Sequence, residues 1–197
     1  MTDAKPDDVL QGLLDGNRRF IEGRMEHAHE SPTDRDALLE EQHPCVTLLG
    51  CSDSRVPPSV IFDVGLGQVF SIRIAGHVLS DEVRASVRYA AVHLGTPLIL
   101  VLGHEGCGAV TETLQAVRTG GDLSQPLVRD LAVPVRRALS DEGDEDVVNR
   151  AVLLHTRAEA AALREDAVLK PLIDEGRLRV AAAVYRMHTG EVELLSQ

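Results

Sequence analysis

Between Asp7 and Arg24 the apolar residues Val9, Leu10, Leu13, Leu14, Phe20 and Ile21 recur at helical spacing, with acids early and arginines late. This pattern predicts an amphipathic N-terminal helix, which would pack as readily on a neighbouring subunit as on its own core. Residues 25–44 are polar, with a short helix expected over Asp34 to Glu41 and with His27, His29 and His43 expected in solvent. The pattern then changes. Cys45 to Gly50 and Pro97 to Gly103 are nearly continuous apolar runs, as buried strands are, while Gly67 to Ile74 alternates. Asp81 to Leu94 carries Val83, Val87, Ala90, Ala91 and Leu94 on one face, with Ser80 as N-cap and Gly95 as stop. A helix between two buried strands implies a right-handed crossover and parallel pairing, with both C-terminal strand ends at one sheet edge.

The second half continues in the same alternation. Gly108 to Arg118 reads as a helix ended by Gly120-Gly121-Asp122, and Pro126 to Leu139 as a helix interrupted near Pro134. Asp141 to Asp146 is an acidic run expected as a solvated tip, and Val147 to Leu163 a long helix. Leu178 to Tyr185 is small and apolar, hence a buried strand, and His188-Thr189-Gly190 turns it back into an edge strand over Glu191 to Leu195. The expected class is α/β: a mostly parallel central sheet flanked by helices, with an antiparallel C-terminal edge strand.

Composition narrows the function classes. The 197 residues, 44% hydrophobic and 26% charged, suit one domain over 1–197, with 1–40 as an N-terminal helical arm. A formal net charge of -11 and no basic run argue against a nucleic-acid partner. The first eight residues lack a basic or apolar leader, and no run is long enough to span a bilayer, so a cytoplasmic location and no membrane partner are expected. Three cysteines cannot all pair with one another, and a reducing compartment would keep Cys51 and Cys107 available as thiolates.

The chemistry gathers where the two apolar runs end. Cys51-Ser52-Asp53-Ser54-Arg55 follows the first, and His104-Glu105-Gly106-Cys107-Gly108 follows the second. Two thiolates and one imidazole from Cys51, His104 and Cys107 suit Zn2+ and leave its fourth position for water or substrate. The bland alternative is a set of unrelated core residues, against which both halves fall at strand ends on the edge where open α/β sheets bind ligands. Asp53 and Arg55 are close enough for a bidentate ion pair that keeps the carboxylate ionised and able to orient a zinc-bound hydroxide. An opened pair would let Asp53 close the fourth zinc position and switch the site off. The helix from Gly108 begins at this site, so its N-terminal amides would face a bound anion.

Cys-x-Asp-Ser-Arg with a downstream His-x-x-Cys-Gly resembles the β-class carbonic anhydrases, from about Leu14 to Leu195. The resemblance implies one zinc per subunit on Cys51, His104 and Cys107, a catalytic dyad of Asp53 and Arg55, and reversible hydration of CO2 to bicarbonate and a proton. It also implies substrate contacts from Gln42 and an apolar CO2 pocket at Phe70 and Tyr89, often shared across a homodimer that can pair into tetramers. The chain departs from the family at Arg73-Ile74-Ala75-Gly76-His77, where many members have Arg-Asn-x-x-Asn. That puts the hydrogen bonding around the dyad in question. A subgroup carries an inhibitory bicarbonate site of Trp, Arg and Tyr, to which this chain offers Leu48, Arg73 and Tyr185, and without the Trp it is not expected. His77 and His93 are proton-transfer candidates by residue type alone. Two alternatives remain: hydrolysis of another small heterocumulene such as carbon disulfide, and a non-catalytic zinc or bicarbonate-sensing module.

Overall fold

The computed structural model describes residues 4–140 and 146–196, so most of the expected acidic tip, 141–145, lies outside the described residues. Helix α1 (Pro6–Ile21) opens the chain, followed by the short α2 (Pro32–Asp36), strand β1 (Val46–Gly50) and the single turn α3 (Pro58–Ile61). Strand β2 (Val69–Arg73) leads through a 3-10 turn (Ala75–His77) into α4 (Asp81–Val92), β3 (Leu98–His104) and α5 (Gly108–Thr119). Helices α6 (Pro126–Ser140), α7 (Val147–Arg164) and α8 (Lys170–Asp174) precede β4 (Arg179–Tyr185) and β5 (Val192–Leu194). Among the described residues, no helix is long and apolar enough to cross a membrane.

The sheet runs β2-β1-β3-β4-β5, parallel except for the antiparallel β4 and β5. One expectation needs correction: β2 and β3 do not pair with each other, because β1 lies between them. The reason is burial. All five positions of β1 are buried, whereas β2 alternates toward solvent, so β1 takes the interior place and β2 the edge. Along β3, Leu98, Leu100 and Leu102 enter one core while Ile99 and Val101 enter the other, as the two-residue period requires.

Helix α1 packs on its own chain. Val9, Leu10 and Leu13 join the core beneath β1 and β3, and Asn17 Nδ2 donates to the carbonyls of Ile61 at 3.2 Å and Gly190 at 2.9 Å. Helix α2 begins earlier than expected, because Ser31 and Asp34 form a capping box ahead of it. Helix α6 is not interrupted at Pro134. Leu131, Ala132, Val135 and Ala138 form a buried stripe on both sides of the proline, and packing carries the helix past the missing N–H. Neither α3 nor α8 was expected from periodicity; each is about one turn and too short to show one.

Candidate metal centre

Because β1 and β3 are parallel neighbours, Cys51 just past β1 and His104 at the end of β3 emerge at the same sheet edge. Cys107 follows three residues later, as N-cap of α5. The ligand atoms of these three buried residues all lie within 4.8 Å of one another, with the sulfurs 4.0 Å apart. Sulfurs bound tetrahedrally to one zinc ion at ~2.3 Å would stand roughly 3.8 Å apart, so the donor set fits with a small contraction. His104 supports the same conclusion. Its Nδ1 lies 2.9 Å from the Glu105 carbonyl, which can only accept, so that nitrogen carries the proton and Nε2 keeps its lone pair. Nε2 is buried and has no hydrogen-bond partner. An orphaned imidazole nitrogen aimed between two thiols is expensive unless a cation takes it.

The backbone is arranged for thiolates. Gly76 N–H donates to Cys51 Sγ at 3.3 Å, and the amides of Ala109 and Val110 at the start of α5 favour the anionic form of Cys107. Without metal the two thiols compete for one proton. The Cys107 thiol, with the N–H groups of Asp53 and Gly76 after it, lowers Cys51, while proximity to Cys51 and burial raise Cys107.

Asp53 sits at the rim. Arg55 donates from Nε to Oδ1 at 3.0 Å and from Nη2 to Oδ2 at 2.7 Å, and its backbone N–H adds a bond to Oδ1 at 2.9 Å. These bonds, Arg55 first, hold the carboxyl well below the ordinary aspartate range. Arg73 fixes the loop from the other side, donating to the carbonyls of Cys51 at 2.9 Å and Asp53 at 2.6 Å. Asn149 of α7 accepts from Gly106 N–H at 2.9 Å and so pins the second turn.

Of the remaining sequence candidates, Gly108 opens α5 next to Cys107, and beyond its chain neighbours and its own helix backbone a Cβ there would meet nothing within 4 Å. Phe70 and Tyr89 lie together, ring centroids 6.1 Å apart. Phe70 pairs in register with Thr47, four residues before Cys51. Gln42 precedes β1 and is exposed, at the opposite end of that strand from the cysteine. The protomer therefore does not gather Gln42, Phe70 and Tyr89 around the thiolates. His77 is sealed inside: its Nε2 meets Thr156 Oγ1 at 3.1 Å, and burial pushes it well below the usual imidazole range. His93 is exposed.

Arg73, Gly76 and Asn149 were not singled out for these contacts. Their roles depend on backbone groups brought together by the fold, and the departure from the family at 73–77 and the Arg of its bicarbonate site were the signals that pointed near the first two.

A family model described as carbonic anhydrase matches residues 46–192. The chain belongs to the β-carbonic anhydrase family. It is 36% identical over 204 residues to carbonic anhydrase 2 of Mycobacterium tuberculosis, covering 98% of this chain and 95% of that one. With the carbonic anhydrase of Mycolicibacterium smegmatis it shares 35% identity over 200 residues, covering 100% and 96%. The solved β-carbonic anhydrase CcaA superposes with a TM-score of 0.75 at 27% identity, over 95% of each chain. β-Carbonic anhydrases are zinc enzymes, and the Cys51, His104 and Cys107 cluster is suited to that ion.

Proposed function

We propose that this chain hydrates CO2 reversibly to bicarbonate and a proton at a zinc ion held by Cys51, His104 and Cys107. The observation that carries the reading is the Asp53 carboxylate, gripped through both oxygens by Arg55 at 2.7 to 3.0 Å beside the donor set. A structural zinc site has no use for such a pair. Zinc, when bound, supplies a Lewis acid that makes water nucleophilic near neutral pH.

The chain's own residues do the rest. Asp53, kept ionised by Arg55, can only accept hydrogen bonds, so it takes one from the attacking water and turns the oxygen lone pair toward the carbon. Arg55 fixes the carboxylate plane, and Arg73 fixes the loop that carries it. Gly108 leaves space beside Cys107, and the first amides of α5, those of Ala109 and Val110, favour the Cys107 thiolate.

The CO2 pocket is completed in a homo-oligomer, a dimer or a pair of dimers. Tyr89 and Val92 are 48% and 49% exposed near the edge strand β2, and a second copy that covers them brings its Gln42, Phe70 and Tyr89 toward the substrate. The chain acts as one domain with 1–40 as an arm, in the cytoplasm. Isotopic exchange of oxygen between labelled bicarbonate and water tests the activity. Zinc-loaded protein should catalyse exchange and chelated protein should not; equal rates with and without zinc would overturn the reading.

A further inference from the structure

Gly76 is held from both sides. Its N–H donates to Cys51 Sγ at 3.3 Å, and its carbonyl accepts from Nε2 of His155 at 3.0 Å. A carbonyl has no hydrogen to give, so Nε2 of His155 carries one. The other ring nitrogen, Nδ1, lies 3.4 Å from Oε1 of Glu159, with the two side chains only 2% and 16% exposed. A bare lone pair facing a bare carboxylate at that distance repels it. A proton shared between Nδ1 and Oε1 would relieve that repulsion.

Burial lifts Glu159 to about 7 and lowers His155 to about 4, which puts the proton on the carboxyl. The surroundings agree in part. Asp130 of α6 favours the protonated acid, whereas Arg84 of α4 and the Leu79 N–H favour the carboxylate. His77, whose ring centroid is 4.6 Å from that of His155, has Nε2 occupied by Thr156 and is neutral by burial. His155 connects to the Cys51 sulfur through Gly76.

We propose that His155 and Glu159 are positioning residues of the metal centre. Their shared proton holds the Gly76 loop in place, and the loop keeps its N–H on the Cys51 thiolate and slows loss of zinc. This inference rests on Cys51, His104 and Cys107 being the zinc ligands.

The test is the rate of zinc release from fully loaded enzyme to a chromophoric chelator, between about pH 6 and about pH 8, for wild type, H155A, H155Q and E159Q. Gln at 155 can still donate to the Gly76 carbonyl, and Gln at 159 can donate to Nδ1 at any pH. H155A should release zinc roughly tenfold faster, the size typical of an outer partner of a metal ligand, and H155Q should recover most of the difference. The ratio of the wild-type rate to the E159Q rate should climb with pH, because only wild type loses the shared proton. Amide hydrogen exchange at Gly76 in loaded enzyme should quicken in H155A. Release from H155A at the wild-type rate, or a pH-independent ratio for E159Q, overturns the inference, and if H155A does not fold the E159Q ratio decides alone. Wild type that takes up no zinc fails at the earlier step and overturns the ligand assignment as well.

Discussion

Asp53 Oδ2 stands 4.0 Å from His104 Nε2 while both Asp53 oxygens are engaged by Arg55. One carboxylate thus borders the donor set but is turned by a guanidinium two residues away. The short spacing of the sequence motif creates this geometry: the loop folds back so that Arg55 N–H also bonds Oδ1 at 2.9 Å.

Removing that carboxylate should disable turnover without emptying the site. Asp53→Ala is expected to lose about two orders of magnitude in kcat/KM, the scale of a misaligned reacting group, with zinc content by mass spectrometry unchanged. Arg55→Lys should also fall, since an ammonium cannot reproduce the fork. Wild-type turnover in either variant would rule out the orienting role.

Zinc should be bound to the folded state. At about a thousandfold excess over the dissociation constant, zinc returned to chelated protein is expected to stabilise it by about 4 kcal/mol. His104→Ala should show little of that gain. Denaturant titration with and without zinc measures the difference, and equal gains would remove His104 from the ligand set.

Gly76 has φ of 65°, and a Cβ there would come within 2.8 Å of Leu131 Cδ1. Gly76→Ala should therefore cost roughly 1 to 3 kcal/mol in urea unfolding and weaken zinc retention through the displaced N–H. Gly106→Ala is a useful contrast: its φ is 61° but nothing lies within 4 Å of the added carbon. A Gly76→Ala cost no larger than that of Gly106→Ala would show that crowding by Leu131 adds nothing.

Buried His155 and Glu159 pull the pH dependence of stability in opposite directions. Glu159, raised to about 7, binds more protons folded than unfolded, so its contribution falls as pH rises from about 4.3 to about 7. His155, lowered to about 4, binds fewer protons folded, so its contribution rises with pH until about 6.5. The two largely cancel in wild type. Glu159→Gln should expose the histidine slope alone and gain up to roughly 3 kcal/mol on wild type between pH 4.5 and pH 8. Parallel pH profiles from urea titrations would contradict this.

Much of this was legible in the chain. The apolar runs ending at Gly50 and Gly103 marked the strands, and Ser80, whose side chain accepts from Val83 N–H, marked the start of α4. The motif residues Cys51, His104 and Cys107 converge because parallel strands deliver their C-terminal ends to one edge. Strand order was not legible, since nothing local told β1 that it would lie between β2 and β3. His155 was hidden for a related reason: inside a long amphipathic helix it looks like any core residue, and its partner is a backbone carbonyl 79 positions away.

Stopped-flow CO2 hydration on metal-analysed protein, from about pH 6.5 to about pH 9 with Asp53→Ala beside it, decides whether this zinc centre hydrates CO2. Turnover that scales with bound zinc, rises with pH and collapses in the variant is the predicted result. Stoichiometric zinc with no CO2 hydration at any pH would contradict it.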